Sequence, residues 1–143
     1  MRSLTVVAAG AALVALAGCT TAERPRHDAK DAAAANFDEG SQRFGDGAAL
    51  AGKATSCIPL RNIRASHVRG DRVIDFEMNG KQTYRNVLPF DCPSLGFEER
   101  FAYKTSMSEL CSTDLITVLQ APGLSRGASC QLGQFQPISG KAR

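Results

Sequence analysis

Short runs in which hydrophobic and polar residues alternate fill the chain from Cys57 onward, and turn-forming residues separate these runs at regular spacing. This pattern is typical of antiparallel strands. We expect six strands, near Ile63–Val68, Arg72–Met78, Gln82–Leu88, Phe101–Thr105, Asp114–Gln120 and Ala128–Phe135. A helical turn is expected over Ser106–Leu110. The pattern therefore predicts an all-β domain, a small five- to six-stranded antiparallel barrel or sandwich, because closing or packing a sheet protects its edges.

The clearest predicted element is a hairpin around Asn79-Gly80. A two-residue loop and a three-residue loop give different strand registers. The three-residue loop, Met78 to Gly80, puts Gly80 at the left-handed bulge position and pairs Ile74 with Tyr84. One face then carries Ile74, Phe76 and Tyr84, and the other carries Asp75, Glu77, Lys81, Thr83 and Arg85. Because this register separates the apolar face from the polar face more cleanly, we prefer it.

The start of the chain follows another pattern. Arg2 precedes an apolar run from Leu4 to Leu16, and small residues follow that run. The run is shorter than the roughly 20 apolar residues that a membrane-spanning helix needs. A positive residue, a short apolar run and then small residues form the layout of a cleavable secretory signal. Residues 1–18 are therefore predicted to be a signal peptide.

The end of this leader, Leu16-Ala17-Gly18-Cys19, resembles the lipobox of bacterial lipoprotein signals. The resemblance implies that Cys19 receives a diacylglyceryl group and becomes the first residue of the mature chain. Several acyl chains hold a protein on a membrane far more firmly than one chain does. Thr20 stands where an Asp often signals retention at the inner membrane. The resemblance therefore implies an exported protein that is lipid-anchored to the outer membrane, with its domain in the periplasm.

Residues 19–56 have the composition of a flexible tether, which the lipobox resemblance implies is lipidated at Cys19. Large apolar side chains are few in this stretch: Phe37, Phe44 and Leu50. Such a segment buries too little surface to offset the entropy lost on ordering it. We therefore divide the chain into a signal peptide at 1–18, a tether at 19–56, a β domain at 57–138 and a tail at 139–143.

Besides Cys19, the chain contains four cysteines: Cys57, Cys92, Cys111 and Cys130. An even number in an exported chain predicts two disulfides, because the periplasm is oxidising. No two of these cysteines are close in sequence, so a zinc site is disfavoured and no metal is expected. A meander would bring Cys57 near Cys111 and Cys92 near Cys130. The more local pairing joins Cys57 to Cys92 and Cys111 to Cys130, and both stay open.

Two strings imitate catalytic motifs. Gly47–Lys53 matches a phosphate-binding loop, but Ala54 stands where the loop needs a hydroxyl for Mg²⁺. Gly123–Gly127 matches the nucleophile elbow G-x-S-x-G, but the segment after it is predicted to be a strand, and no histidine follows His67. We therefore expect neither an enzyme nor a cofactor. The remote alternative is a small hydrolase, which would need a pocket that joins His67 to a carboxylate.

The formal net charge is only +3, which gives no strong footprint for nucleic acid. Arginines are nevertheless concentrated on the first three predicted strands. Arg61, Arg64 and Arg85 are the candidate anion-binding residues, and Arg69 and Arg72 are nearby in sequence. Arg suits bidentate contact with carboxylate or phosphate. An anionic glycan or lipid is therefore an alternative ligand.

The region from Cys57 to Ile138 resembles a family of uncharacterised Gram-negative envelope proteins with a domain of unknown function and a four-cysteine frame. The segments that carry the resemblance are Cys57-Ile58, Arg61-Asn62-Ile63, Thr83-Tyr84-Arg85-Asn86, Leu88-Pro89, Cys92-Pro93-Ser94-Leu95, Tyr103-Lys104-Thr105-Ser106, Leu110-Cys111, Asp114–Leu119 and Arg126–Gly133. The resemblance implies a disulfide-framed envelope domain and no particular activity. We therefore expect a periplasm-facing interaction module that binds a protein of envelope assembly or inhibits an envelope enzyme.

Overall fold

The computed structural model describes residues 33–39, 43–105 and 107–140. Residues 33–35 are helical, Leu60–Asn62 form a 3-10 helix, and Leu95–Glu98 form a short α-helix. The strands are β1 (Phe37–Asp38), β2 (Arg43–Phe44), β3 (Ala49–Leu50), β4 (Cys57–Pro59), β5 (Ile63–Val68), β6 (Val73–Met78), β7 (Thr83–Val87), β8 (Phe101–Tyr103), β9 (Glu109–Cys111), β10 (Leu115–Gln120), β11 (Ser125–Gln131) and β12 (Phe135–Ser139). Over these residues no helix is both long and apolar enough to cross a membrane.

The strands form three antiparallel sheets. A seven-stranded main sheet has the order β1-β2-β3-β12-β7-β6-β5, a three-stranded sheet has the order β11-β10-β8, and β4 pairs with β9. The all-β prediction with two disulfides is confirmed. The sheets do not close into a barrel, and the described residues form more strands than the five or six expected.

The main hydrophobic core lies where the three sheets meet. Phe76 on β6 is fully buried, and its ring meets Phe135 of β12 and Phe101 of β8 edge-on, with centroids 5.6 and 6.3 Å apart. The rest of this core comes from all three sheets and the helix: Ile58, Ile74, Met78, Leu88, Cys92, Leu95, Leu110, Ile116, Val118 and Leu132. Burial of apolar area is the main stabilising contribution of such a core.

The two disulfides follow the meander pairing. Cys57 and Cys111 lie opposite each other on β4 and β9, with Cα atoms 4.0 Å apart. Cys92, just before the short helix, is bonded to Cys130 on β11. The pairing of Cys57 with Cys92 is therefore wrong, because β4 and β9 form a sheet of their own.

The predicted tether, residues 19–56, extends too far toward the domain, because its described residues 33–39 and 43–56 pack on the sheet. The part before residue 33 lies outside the described residues. Phe44 and Ala48 are buried, and they pack with Ile138 into a second, smaller core on the other face of the main sheet. The strands β2 and β3 extend that sheet beyond β12. The composition of this segment predicted disorder. The segment is ordered because it packs on a face of the main sheet that has both apolar and charged side chains. The predicted tail is likewise shorter, since β12 continues to Ser139.

The hairpin has the predicted faces but neither predicted register. Glu77 pairs with Thr83, and Ile74 pairs with Asn86. The loop is Asn79-Gly80-Lys81, and both Gly80 and Lys81 have positive φ. This pairing differs from the preferred one by an even number of residues, so the side chains of β6 and β7 stay on their predicted faces, whereas Lys81 lies in the loop.

Two other local predictions need correction. The segment predicted as a helical turn overlaps β9, which includes Glu109 and Leu110, and Ser106 lies outside the described residues. Backbone pairing between Pro59 and Glu109 holds β9 in an extended form. The predicted strand Ala128–Phe135 is two strands, β11 and β12, in different sheets.

A glycine and an asparagine hold the break between those two strands. Asn86 donates to the Gly133 carbonyl oxygen at 2.7 Å and accepts from the Gly133 N–H at 2.8 Å. A Cβ at Gly133 would overlap the carbonyl oxygen of Val87. Gly133→Ala is therefore expected to lower the free energy of unfolding by about 1–3 kcal/mol, as overpacking does.

Urea unfolding followed by circular dichroism would measure this loss. Gly127→Ala is the matched control, because its Cβ would meet only the flexible Gln120 side chain, at 3.1 Å. Equal stability of the two variants would contradict the steric role of Gly133.

Candidate functional site

Arg85, one of the three candidate anion-binding residues, is buried and already paired. Its guanidinium donates to Asp75 at 2.8 and 3.0 Å and to Asp46 at 3.0 and 2.7 Å. It also lies over the ring of Phe44, with Cζ 4.6 Å from the centroid. Two carboxylates and a ring occupy all of its recognition surface, so Arg85 holds the N-terminal segment on the sheet and cannot contact a ligand. The prediction for Arg85 is wrong.

The electrostatics agree with this structural role. Burial alone would lower the pKa of Arg85, but hydrogen bonds and charges from Asp75 and Asp46 raise it, and the group stays protonated. Burial alone would raise the pKa of Asp46, but hydrogen bonds from Arg85 and from the Ala48 N–H, with the charges of Arg85 and Arg69, hold it below its usual 3.8. Each charge in the network thus stabilises its partners.

Arg64 and Arg61 lie elsewhere. Arg64 donates to Glu77 at 2.7 Å, on the face of the main sheet that also carries Asp75 and Arg85 but in an exposed part of it. This hydrogen bond lowers the pKa of Glu77. Arg61 is exposed in the 3-10 helix, where its carbonyl oxygen accepts from Asn79. The three arginines therefore do not form one anion site, because Arg85 is buried with two carboxylates and Arg64 is paired with Glu77.

His67 does lie beside a carboxylate. Its Nε2 is 3.2 Å from Glu77 Oε1, and its side chain is 46 % exposed. Glu77 also accepts from Arg64, so the pair belongs to an exposed ionic cluster rather than to an enclosed pocket. In the described part of the chain, no hydroxyl or thiol is hydrogen-bonded to His67. A nucleophile and a base need such contact, so the geometry adds nothing to the hydrolase alternative.

The two motif-like strings have ordinary structural roles. Gly47, with φ of 88°, sits in the turn that carries Asp46 to Arg85. The elbow-like string contains the turn before β11, and a strand follows Ser125 where an elbow needs a helix. Cys57, Glu109 and Cys111 have ligand atoms close together, but the two sulfurs are bonded to each other and cannot bind a metal as thiolates.

Sequence reasoning missed two exposed phenylalanines near the short helix. Phe90 is 81 % exposed and Phe97 is 87 % exposed. Residues of this type are usually buried, and the alternating pattern gave no reason to treat these two differently. The signal in the sequence is their setting, since each lies outside any predicted strand and is followed directly by an acidic residue.

The turn between β5 and β6 holds both phenylalanine-bearing segments. Arg72 donates to the carbonyl oxygens of Leu88 and Pro89 at 3.2 and 3.4 Å, just before Phe90. Asp71 accepts from the Cys92 N–H and, through its side chain, from the Gly96 N–H, both at 2.8 Å. Phe90 and Phe97 therefore project from one fixed frame.

A third apolar side chain adjoins this frame. Glu98 accepts from the Ala121 N–H at 3.0 Å, which joins the helix to the β10–β11 turn. Leu124 in that turn is more than half exposed. We call Phe90, Phe97 and Leu124 the aromatic end. Near it in sequence, or hydrogen-bonded to its segments, are four carboxylates and three guanidinium groups: Asp71, Asp91, Glu98, Glu99, Arg72, Arg100 and Arg126.

No curated protein and no solved structure matches the chain. One family model matches residues 1–143, and its description is a family of unknown function (DUF6491). This confirms the resemblance to an uncharacterised domain, while a Gram-negative envelope origin and a lipoprotein leader stay predictions. With its full given sequence matched, the chain belongs to the DUF6491 family.

Proposed function

We propose that the protein is an exported, lipid-anchored interaction module that binds a protein partner through its aromatic end. The observation that carries the proposal is the exposure of Phe90 and Phe97, 81 % and 87 %, on a rigid frame. Large aromatic side chains at the centre of an interface supply much of its binding energy. On the surface of a soluble protein, exposed apolar side chains that lie together mark an interaction site more often than isolated ones do.

The frame favours tight binding because the segments that carry Phe90 and Phe97 are already held in place before a partner binds. Cys92 lies between the two phenylalanines in sequence, and its disulfide to Cys130 fixes that segment to β11. Gly96 packs against Gly70 so closely that a Cβ would lie 2.9 Å from the Gly70 Cα. A loop that is already fixed loses less entropy on binding than a mobile loop does.

Charge indicates the kind of partner. Carboxylates outnumber guanidinium groups around the aromatic end, and Asp91 directly follows Phe90. An acidic border favours a partner whose apolar pocket is framed by Lys and Arg, and it opposes an anionic membrane surface. We therefore place a protein, rather than the lipid bilayer, on this surface.

Two features support the proposed location. The leader has the layout of a lipoprotein signal that ends at Cys19, outside the described residues. Two disulfides within one small domain suit an oxidising compartment. We propose anchoring to the outer membrane, with the domain facing the periplasm. The partner is then a protein of envelope assembly or an envelope enzyme that the module inhibits, and the module itself is not an enzyme.

Site-specific photocrosslinking tests this proposal in cells that natively produce the full chain. A photoreactive residue at position 90 or 97 is expected to capture one protein of defined mass, and the same residue at Arg61, which is exposed elsewhere, is expected not to. Phe97→Ser should then weaken binding of the purified partner at least tenfold, because a central aromatic contact is lost. Added salt should weaken binding further if the partner pocket is basic.

Several outcomes would overturn the proposal. Equal capture from Arg61 would show that the adduct is non-specific. An adduct of twice the chain mass would assign the surface to a second copy, and a phospholipid adduct would assign it to the membrane. No adduct at either phenylalanine would leave the aromatic end without a partner and end the proposal.

A further inference from the structure

The outer face of the three-stranded sheet forms a groove whose lining includes none of Arg61, Arg64 and Arg85. The groove has a volume of about 470 Å³, and Thr117 and Leu119 of β10 form part of its floor. Lys104, Arg126, Tyr103 and Ser129 also line it. We propose that this groove binds an acidic oligosaccharide, with Arg126 as the main contact for its carboxylate.

A bulge in β11 determines the face of the sheet on which Arg126 lies. Thr117 pairs with Ser129 and Leu119 pairs with Arg126, so β11 has one more residue than β10 between these pairs. That extra residue is a β-bulge, which changes the face on which the following side chains lie. Without it Arg126 and Ser129 would lie on opposite faces. The bulge therefore brings an arginine onto the face that carries the hydroxyls.

The two positive charges of the groove, on Lys104 and Arg126, have no carboxylate partner among the described residues. Within the described residues, neither Lys104 nor Arg126 has a carboxylate oxygen within 4.0 Å, whereas Arg64, Arg69 and Arg72 each have one. Asp114 also lines the groove, but its carboxylate accepts from the Cys111 N–H at 2.7 Å and is directed to its own turn. An anion should therefore bind most favourably at the Arg126 end of the groove. At the other end, Asp114 lies beside Leu115, and its negative charge would repel an anion.

The surface between the two cations is long and carries hydroxyl groups. Lys104 follows the pairing of Tyr103 with Ile116, while Arg126 is opposite Leu119, so they lie near opposite ends of the groove. Thr117 and Ser129, with hydroxyl oxygens 3.0 Å apart, lie between them. Hydroxyls, one partly exposed tyrosine ring and two leucines along an open groove suit the mixed polar and apolar faces of a sugar chain. An acidic oligosaccharide satisfies the length, the hydroxyls and the charge together.

A titration of the full-length protein with an acidic hexasaccharide, alternating glucuronic acid and N-acetylglucosamine, tests the proposal. The carboxyl-reduced neutral form of the same hexasaccharide is the paired probe. The acidic form is expected to bind and to shift the amide signals of β10 and β11, and the neutral form to bind at least tenfold more weakly. Arg126→Ala should lower affinity for the acidic form about tenfold or more, because a charged hydrogen bond is lost.

Arg61→Ala is the matched control, an exposed arginine outside the groove whose loss should leave binding unchanged. Arg126 is exposed, so its replacement should not disturb folding. Equal binding of the acidic and neutral forms, unchanged binding in Arg126→Ala, or no binding at all would overturn the proposal. If phosphatidylglycerol vesicles bind through Arg126 while the hexasaccharide does not, the ligand is a lipid headgroup and the saccharide assignment is wrong. None of these results depends on the aromatic end.

Discussion

Arg85→Ala is expected to lower the free energy of unfolding by about 3–5 kcal/mol, because it leaves buried charge without its partner. Asp75 is almost fully buried, and it would keep only the contact from Arg69 Nε at 3.1 Å. Asp46 would lose both of its hydrogen bonds to Arg85. The loss should detach the N-terminal segment as well, since Arg85 also donates to the Ala34 carbonyl oxygen.

Two further variants identify the cause of this effect. Arg85→Lys keeps the charge but cannot form two bidentate pairs, so most of the loss should remain. Arg61→Ala removes an exposed arginine and should change stability by less than about 0.5 kcal/mol. Chemical unfolding of the three variants measures the differences. A wild-type unfolding midpoint in Arg85→Ala would show that the network contributes nothing to stability.

The same network predicts how stability depends on pH. The pKa of Asp46 is lower in the folded state than its usual 3.8, so the folded state holds its proton less tightly than the unfolded chain does. Its contribution is complete above the unfolded value and is lost as pH falls through the folded pKa. Below about pH 4, wild-type stability should fall more steeply than that of Asp46→Asn, as thermal unfolding over a pH series would measure.

The arrangement of Arg85 shows what alternation along a strand can and cannot predict. Alternation put Asp75 and Arg85 on one face and Phe76 on the other, and both placements are confirmed. The exact register depends on the loop, where Lys81 adopts a positive φ that residues other than glycine rarely adopt. A glycine-based rule could not find that residue, because it assigns the left-handed position to Gly80.

The function of that face could not be predicted from the strands alone. An arginine on a half-polar strand looks available for ligands until its partners are known. Asp46 is 39 residues away from Arg85 in sequence, within a segment of low hydrophobicity. Local composition predicts whether a segment can bury enough of its own surface, but not whether another element offers a complementary face. Phe44 and Ala48 meet such a face on the main sheet.

The candidate binding surfaces have the same limitation. Phe90 and Phe97 were not identified because exposure is a property of the folded frame, not of residue type. Arg126 was not identified because the predicted strand began at Ala128, so Arg126 and the bulge that aligns it with Ser129 were not read as part of β11. The cysteine count predicted two disulfides, but the pairing depended on β4 and β9 lying side by side.

Removal of both disulfides is expected to be the most damaging change of all. Cys57–Cys111 and Cys92–Cys130 join residues 54 and 38 positions apart. In the chain-entropy model, closing loops of these lengths stabilises the folded state by about 4 kcal/mol each. A small domain is stable by only about 5–15 kcal/mol in total, so loss of both should leave it largely unfolded. Chemical unfolding of the two double Cys→Ser variants would measure each loss. If a reductant left the stability of the wild-type protein unchanged, the predicted contribution of the disulfides would be wrong.

The two double variants should differ in function although their loss of stability is similar. Cys92 lies between the segments that carry Phe90 and Phe97, whereas Cys57 and Cys111 join β4 to β9. At a temperature where both variants remain folded, C92S/C130S should lose the crosslink at position 97, because the frame of the aromatic end loosens. C57S/C111S should keep that crosslink. If both variants keep the crosslink, Cys92–Cys130 contributes only to stability. The hydrogen bonds that Arg72 donates and Asp71 accepts are then sufficient to hold the aromatic end.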